Sequence, residues 1–198
     1  MIRFDTEAFR SINNLAGRSP VLDAAGIFCA RWLIVAMFAA VVLRAVIAVR
    51  RPESRGLAAV FAAAEVRALI AGALAFLGNW LFSLLIFRPR PYVSLMDVHL
   101  IVSKPLTPQA FPSGHSSAAF ALAFTILLVD LPFGLLLLVC ACAVAVGRVF
   151  VGVHYPLDVV MGLFVGLFWA LVLHGVGVRV HDIEFLTRYL KSRAVRKT

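Results

Sequence analysis

The sequence predicts an all-α protein: a polytopic transmembrane helix bundle of about five spans, preceded by a short N-terminal helix at the membrane interface. Three observations carry this. Of 198 residues, 62% are apolar or aromatic and the mean hydropathy is +0.96, against roughly 45–50% apolar in soluble domains. Charged residues make up 15%, too few to cover a water-soluble globule of this size. The apolar residues also gather into runs at about 27–49, 57–87, 113–129, 134–152 and 157–178, each near the ~20 residues that cross a ~30 Å hydrocarbon core.

Before the first run, Phe4, Ala8, Ile12 and Leu15 fall on one helical face, with Asp5, Glu7, Arg10, Asn13 and Asn14 elsewhere; this predicts the interfacial helix. Asp5 and Glu7 stand where a cleaved signal peptide would carry basic residues, so the first span is expected to be retained. The second run is over-long. Glu65 and Arg67 are costly at mid-bilayer, which places its embedded part at 68–87 and its first two turns among the headgroups. Asp130 to Gly134 reads as a short connection and 152–156 as a turn. The longest polar stretch is Arg88 to Pro112. With no repeat, low-complexity tract or linker, residues 1–198 read as one domain, with a motif-bearing core at about 68–178. Gly162 and Gly166 give the fifth run a small-residue spacing, read as packing within the bundle rather than dimerisation. Cys29, Cys140 and Cys142 lie inside apolar runs without metal-ligand spacing, and read as small apolar filler.

Lys and Arg number 19 against 10 Asp and Glu, a net charge of +9. Their position at the ends of apolar runs points to membrane topology rather than nucleic acid. Arg44, Arg50, Arg51 and Arg55 after the first span, and Arg179, Arg188, Lys191, Arg193, Arg196 and Lys197 after the fifth, assign those segments to the cytoplasm. The N-terminus and 88–112 then lie outside, with the C-terminus inside. Arg3, Arg10, Arg18 and Arg31 stand against this assignment.

Three polar clusters fall at one membrane face: Arg88-Pro89-Arg90-Pro91-Tyr92, Pro112-Ser113-Gly114-His115, and Arg148 with His154 and Asp158. Ser113 is placed to N-cap a helix whose free N–H groups can cradle an anion, with Gly114 allowing close approach. Arg90 and Arg148 supply guanidinium forks that match phosphate oxygens. Pro156 suits a first helical turn, which puts Asp158 within reach of the His154 imidazole; such a pairing fixes the tautomer and leaves the other nitrogen free as a nucleophile. Each cluster alone has an ordinary structural explanation, as a helix start, snorkelling arginines or a capping pair. Their convergence on one level argues for a site.

The order Arg90-Pro91, Pro112-Ser113-Gly114-His115, then Arg148-Val-Phe-Val-Gly152-Val-His154-Tyr-Pro-Leu-Asp158 resembles the three-part signature of the type-2 phosphatidic acid phosphatase superfamily. The small size and the stretch Phe9-Arg10-Ser11-Ile12-Asn13 resemble the bacterial undecaprenyl-diphosphate phosphatases of the bacitracin-resistance type. The resemblance implies that His154 attacks phosphorus, that Asp158 orients it, and that His115 is the general acid and later the base. It also implies that Arg90, Arg148, Ser113 and the Gly114 amide hold phosphoryl oxygens, with no metal ion and no cofactor. Two positions depart from the family pattern. Ser83 stands where the first motif begins with Lys, leaving Arg88 as the nearest candidate replacement in phosphate binding and Lys104 as a weaker one. Gly147 stands where Ser usually precedes the Arg of the third motif.

The sequence thus points to a metal-independent integral membrane phosphatase acting at the outer face on a lipid phosphate or diphosphate, with undecaprenyl diphosphate and cell-wall carrier recycling as the leading expectation. The alternatives are phosphatidic acid, phosphatidylglycerol phosphate or another lipid phosphate as substrate. A non-enzymatic transporter or lipid-binding protein would place its charges near mid-membrane rather than at span ends. Topology is directly testable. In a functional variant without native cysteines, a cysteine at Ser94 should react with an impermeant thiol reagent in intact cells, and one at Ser192 should not. The reverse pattern would place the motifs in the cytoplasm.

Overall fold

The computed structural model describes residues 3–50 and 55–195. Among them are eight helices: α1 (Arg3–Asn13), α2 (Pro20–Arg31), α3 (Leu33–Arg50), α4 (Arg55–Leu85), α5 (Pro91–Ser94), α6 (Gly114–Leu127), α7 (Leu131–Phe150) and α8 (Pro156–Val195). The β-pairing among the described residues is a single antiparallel bridge between Pro89 and Gln109. Local chemistry sets several starts. Ser19 and Asp130 are extended N-cap residues followed by proline in the first turn, and the Asp130 carboxylate accepts from the Phe133 N–H at 3.1 Å, satisfying a donor that the helix cannot.

By length and composition, Ala64–Leu85, Leu131–Phe150 and Pro156–Val176 each suffice to cross a membrane, and Pro20–Arg31 with Leu33–Ile47 form a further span bent by 50°. The third expected span, 113–129, is the 14-residue α6, about 21 Å long at 1.5 Å per residue. It is shorter than a full crossing because it is the axis of the bundle. Packed against α4, α7 and α8, it is buried around most of its circumference, as befits a helix apolar on every side. Close approach depends on small residues. A Cβ on Gly162 would lie 2.9 Å from Ser116 Cβ, and one on Gly166 would lie 2.7 Å from the Ala121 nitrogen. The Gly162/Gly166 spacing therefore packs α8 on α6, within the bundle.

Two expectations change. Glu65 is only 1% exposed, and it pairs with Arg44 of α3 at 2.9 Å. Arg44 also binds Asp130 and lies 4.7 Å above the Phe133 ring. Pairing inside the protein removes the argument that began the span at 68, and among the described residues the apolar stretch Ala64–Leu85 suffices to cross. In α1, the buried face is Asp5, Phe9 and Asn13, whereas Phe4 is 74% exposed and Leu15 is also exposed. The helix turns its polar stripe inward because that stripe has partners there.

The first span bends at Trp32, between α2 and α3, without a proline or glycine. Arg148 Nη1 donates to the Ala30 carbonyl at 3.2 Å, the acceptor that the Ile34 N–H would use in an unbroken helix. A side chain inserted into the helical ladder is a known cause of kinking. The same contact accounts for Gly147, where a Cβ would meet Ala30 N and Cys29 Cβ at 2.9 Å: α2 occupies the space a serine would need.

The glycine contacts give a paired test. Gly166→Ala should lower the thermal unfolding temperature of the detergent-solubilised protein, with a cost of about 1–3 kcal/mol from overpacking. Gly175→Ala meets nothing within 4 Å, and should leave stability unchanged or raise it by up to about 1 kcal/mol.

Candidate active site

The three polar clusters meet at one end of the bundle. Arg88 to Arg90 are fixed by the strand-like pairing of their backbone with the 108–110 segment. Arg90 N–H donates to Pro108 O at 3.0 Å and Ala110 N–H to Arg88 O at 2.8 Å. Gln109 seals the pairing: its Oε1 accepts from Arg88 N–H at 2.8 Å, and its Nε2 donates to the Ile86 and Phe111 carbonyls. So held, Arg90 is buried, with Nε donating to Thr107 O at 2.9 Å and Nη1 to Val153 O at 3.0 Å.

Arg90 Nη1 also lies 3.2 Å from His154 Nε2. A guanidinium has no acceptor, so Nε2 must accept and the imidazole is neutral with its proton on Nδ1. Burial drives the His154 pKa well below the ordinary histidine value, and the charges of Arg148 and Arg90 push it the same way. A neutral imidazole with an Nε2 lone pair beside an arginine is chemically equipped for nucleophilic attack on an anion held by that arginine. Burial also lowers the pKa of Arg90, but a guanidinium remains cationic at physiological pH.

Asp158 lies on the other side of the ring, with Oδ2 3.6 Å from His154 Nδ1, beyond hydrogen-bond distance. Its oxygens have other donors. Oδ2 accepts from the Tyr155 N–H at 2.7 Å and Oδ1 from Arg88 Nη1 at 2.6 Å. Asp158 thus orders the turn that carries His154, with its charge near the imidazole. The turn itself requires Gly152, whose φ of +86° lies in the left-handed region and whose missing Cβ leaves room for His99 O at 2.9 Å.

Arg88 is committed to carboxylates rather than turned toward a cavity. Its Nη2 pairs with Asp5, its Nη1 with Asp158, and its guanidinium lies 4.3 Å above the Tyr155 ring. This corrects the expectation that it replaces the missing phosphate-binding Lys. Ser83 does not replace it either, since its hydroxyl donates to its own helix at Trp80 O.

Ser113 is the extended N-cap residue of α6, fully buried, without a side-chain capping bond. Its N–H donates to Asp158 O at 3.0 Å and its Oγ accepts from Ser116 Oγ at 3.1 Å. A Cβ on Gly114 would meet the Phe76 ring at 3.1 Å, so glycine there admits an aromatic neighbour. His115 packs edge-on against the same ring. His115 and Arg148 line a cavity of about 360 Å³ together with Val153, Arg31 and Lys104.

Sequence reasoning missed several contributors. Asp5 Oδ1 accepts from the Leu157 N–H at 2.9 Å, capping α8 from another helix. Asn13 donates to His99 O and Phe150 O at 2.9 and 2.8 Å and accepts from the His99 N–H. Asn79 brings its buried amide near Gly114. The available signal for the first two was the i, i+4, i+8 spacing of Asp5, Phe9 and Asn13.

This helical membrane architecture and its convergent motifs define a class. The chain belongs to the PAP2 superfamily, which it matches over residues 64–181, and it is a multi-pass membrane phosphatase of that family. Among its relatives, the undecaprenyl-diphosphatase BcrC of Bacillus subtilis is 30% identical over 161 residues, 81% of this chain and 78% of that protein. The bacitracin transport permease protein BcrC of Bacillus licheniformis is 30% identical over 194 residues, 96% and 90% of the two chains. The crystal structure of Aquifex aeolicus LpxE shares the fold with a TM-score of 0.62 at 24% identity, over 88% of this chain and 96% of that one.

Because Arg88 separates two carboxylates that are each fully buried, Arg88→Ala should destabilise the protein by about 3–5 kcal/mol. Asp5→Asn keeps an acceptor for the Leu157 N–H and should cost less than Asp5→Ala. Thermal unfolding in detergent, compared across the three variants, checks the order.

Proposed function

We propose that this phosphatase hydrolyses a lipid-linked diphosphate at the outer membrane face, undecaprenyl diphosphate to undecaprenyl phosphate, through a phosphohistidine and without a metal ion. The observation that carries the reading is the 3.2 Å approach of Arg90 Nη1 to His154 Nε2, a contact in which only the ring nitrogen can accept. The undecaprenyl-diphosphatase BcrC relative of Bacillus subtilis supports the substrate. The balance of basic residues among the loops supports the outer face.

In this mechanism the terminal phosphoryl group enters between Arg90 and His154. Arg90 Nη1–H redirects its hydrogen bond from Nε2 to a phosphoryl oxygen, which frees the Nε2 lone pair to face phosphorus. Arg148, Ser113 and the Gly114 amide complete the cradle, holding charge as it develops. As the N–P bond forms, the bond from phosphorus to the bridging oxygen breaks. That oxygen leaves with its electron pair on the lipid phosphate and takes a proton from His115. Water then attacks the phosphohistidine and returns a proton to His115; the P–N bond breaks, releasing inorganic phosphate and neutral His154. The Asp158 carboxylate favours the positive charge that the ring carries between the two steps.

Phosphate release from a panel of lipid phosphates and diphosphates, assayed in excess EDTA, tests substrate and metal independence together. His154→Ala should abolish turnover of every substrate. His115→Ala should retain more activity on an aryl phosphate than on an alkyl or prenyl phosphate, because a good leaving group needs less protonation. Asp158→Asn should fall between wild type and His154→Ala. With ¹⁵N-labelled histidine, NMR should find the His154 ring neutral as pH falls through 6.5, since its pKa is depressed. Wild-type-like activity in His154→Ala, or protonation of His154 near pH 6.5, would overturn the assignment.

A further inference from the structure

The cavity beside His115 holds more positive charge than one phosphoryl group requires. Arg148 enters from α7, with a buried Nε that has no hydrogen-bond partner. Arg31, the last residue of α2, and Lys104, from the segment between α5 and α6, line the same cavity. Both are exposed, and among the described residues neither has a carboxylate partner. No Asp or Glu lines the cavity. Like charges gathered around one cavity repel, and an anion placed among them relieves that repulsion.

The position of Arg31 follows from the bend described above. Arg148 takes the carbonyl of Ala30, so the residue that ends α2 stands next to the cavity arginine. Arg31 is also one of the basic residues that contradicts the charge-based topology, and a place in the cavity gives it a reason to be there.

We propose that Arg31 and Lys104 form a second anion subsite, which holds the phosphate that remains on the lipid and gives the enzyme its preference for a diphosphate over a monophosphate. The inference rests on the hydrolytic reading above. When the bond between the terminal phosphorus and the bridging oxygen breaks, the electron pair stays on that oxygen, and negative charge builds on the lipid-borne phosphate until His115 delivers its proton. Two cations at that phosphate stabilise the charge as it develops. A monophosphate has no second phosphate to put there.

The test uses the full-length protein in nonionic detergent, with farnesyl diphosphate and farnesyl monophosphate as substrates. The readout is the ratio of their kcat/KM values. In the Arg31→Gln, Lys104→Gln double variant this ratio should fall by about tenfold or more, with each single variant intermediate and Arg31→Lys close to wild type. An unchanged ratio would overturn the subsite. A loss shared by both substrates that arises only when phosphatidylglycerol is added would assign the two cations to lipid headgroups, and would also overturn it. Wild-type protein that releases phosphate from neither substrate would overturn the hydrolytic reading itself, and the subsite with it.

Discussion

The arrangement turns on Arg88 and the two carboxylates that enclose it. Asp5 comes from the N-terminal helix and Asp158 from the first turn of α8, while Arg88 itself comes from the proline-rich segment after α4. Three parts of the chain far apart in sequence are joined by one guanidinium lying over Tyr155. The carboxylates are fully buried, so neither is tolerable without the cation. From this cluster follow the orientation of α1, the order of the turn carrying His154, and the seating of Arg90 through its backbone neighbour.

The bundle separates its polar and apolar tasks along its length. Its middle is held by small residues, with α8 glycines against the α6 backbone and four buried alanines on α6 itself. At the end away from the candidate site, Arg44, Glu65, Asp130 and the Phe133 ring join α3, α4 and the α6–α7 connection. Shape complementarity does the work where lipid surrounds the protein, since lipid offers no hydrophobic gain for helix association. Paired charges join the helix ends.

Much of this was legible in the sequence, because apolar runs and motif order are local patterns. The five apolar segments correspond to the bent α2–α3 pair, α4, α6, α7 and α8, and the three clusters do converge. What was not legible depends on contacts across the chain. Phe4, with Leu15 just beyond the helix end, looks like part of a membrane-facing stripe on the helix that buries Asp5, Phe9 and Asn13; only the presence of Arg88, Leu157 and His99 decides which face turns inward. Arg88 reads as a phosphate ligand beside Arg90 until its carboxylates are seen. The break at Trp32 has no breaker residue, because its cause is Arg148, over a hundred positions away. Of the basic residues that contradict the charge rule, Arg3 is paired with Glu7, Arg10 with Asp97 and Arg18 with a backbone carbonyl, while Arg31 stands at the cavity.

The bond from Asp5 to the Leu157 N–H spans 152 residues, and it bears on how the protein is made. Helix α1 is made before every group that holds its buried face, Arg88 and His99 first and Phe150 and Leu157 later. Contacts this distant cannot form until the intervening chain is in place. The turn bearing His154 gains this support only once the first turn of α8 has formed. A nascent chain therefore carries the first two motifs before α1 can be fully held, and the site matures only after the third motif has joined them.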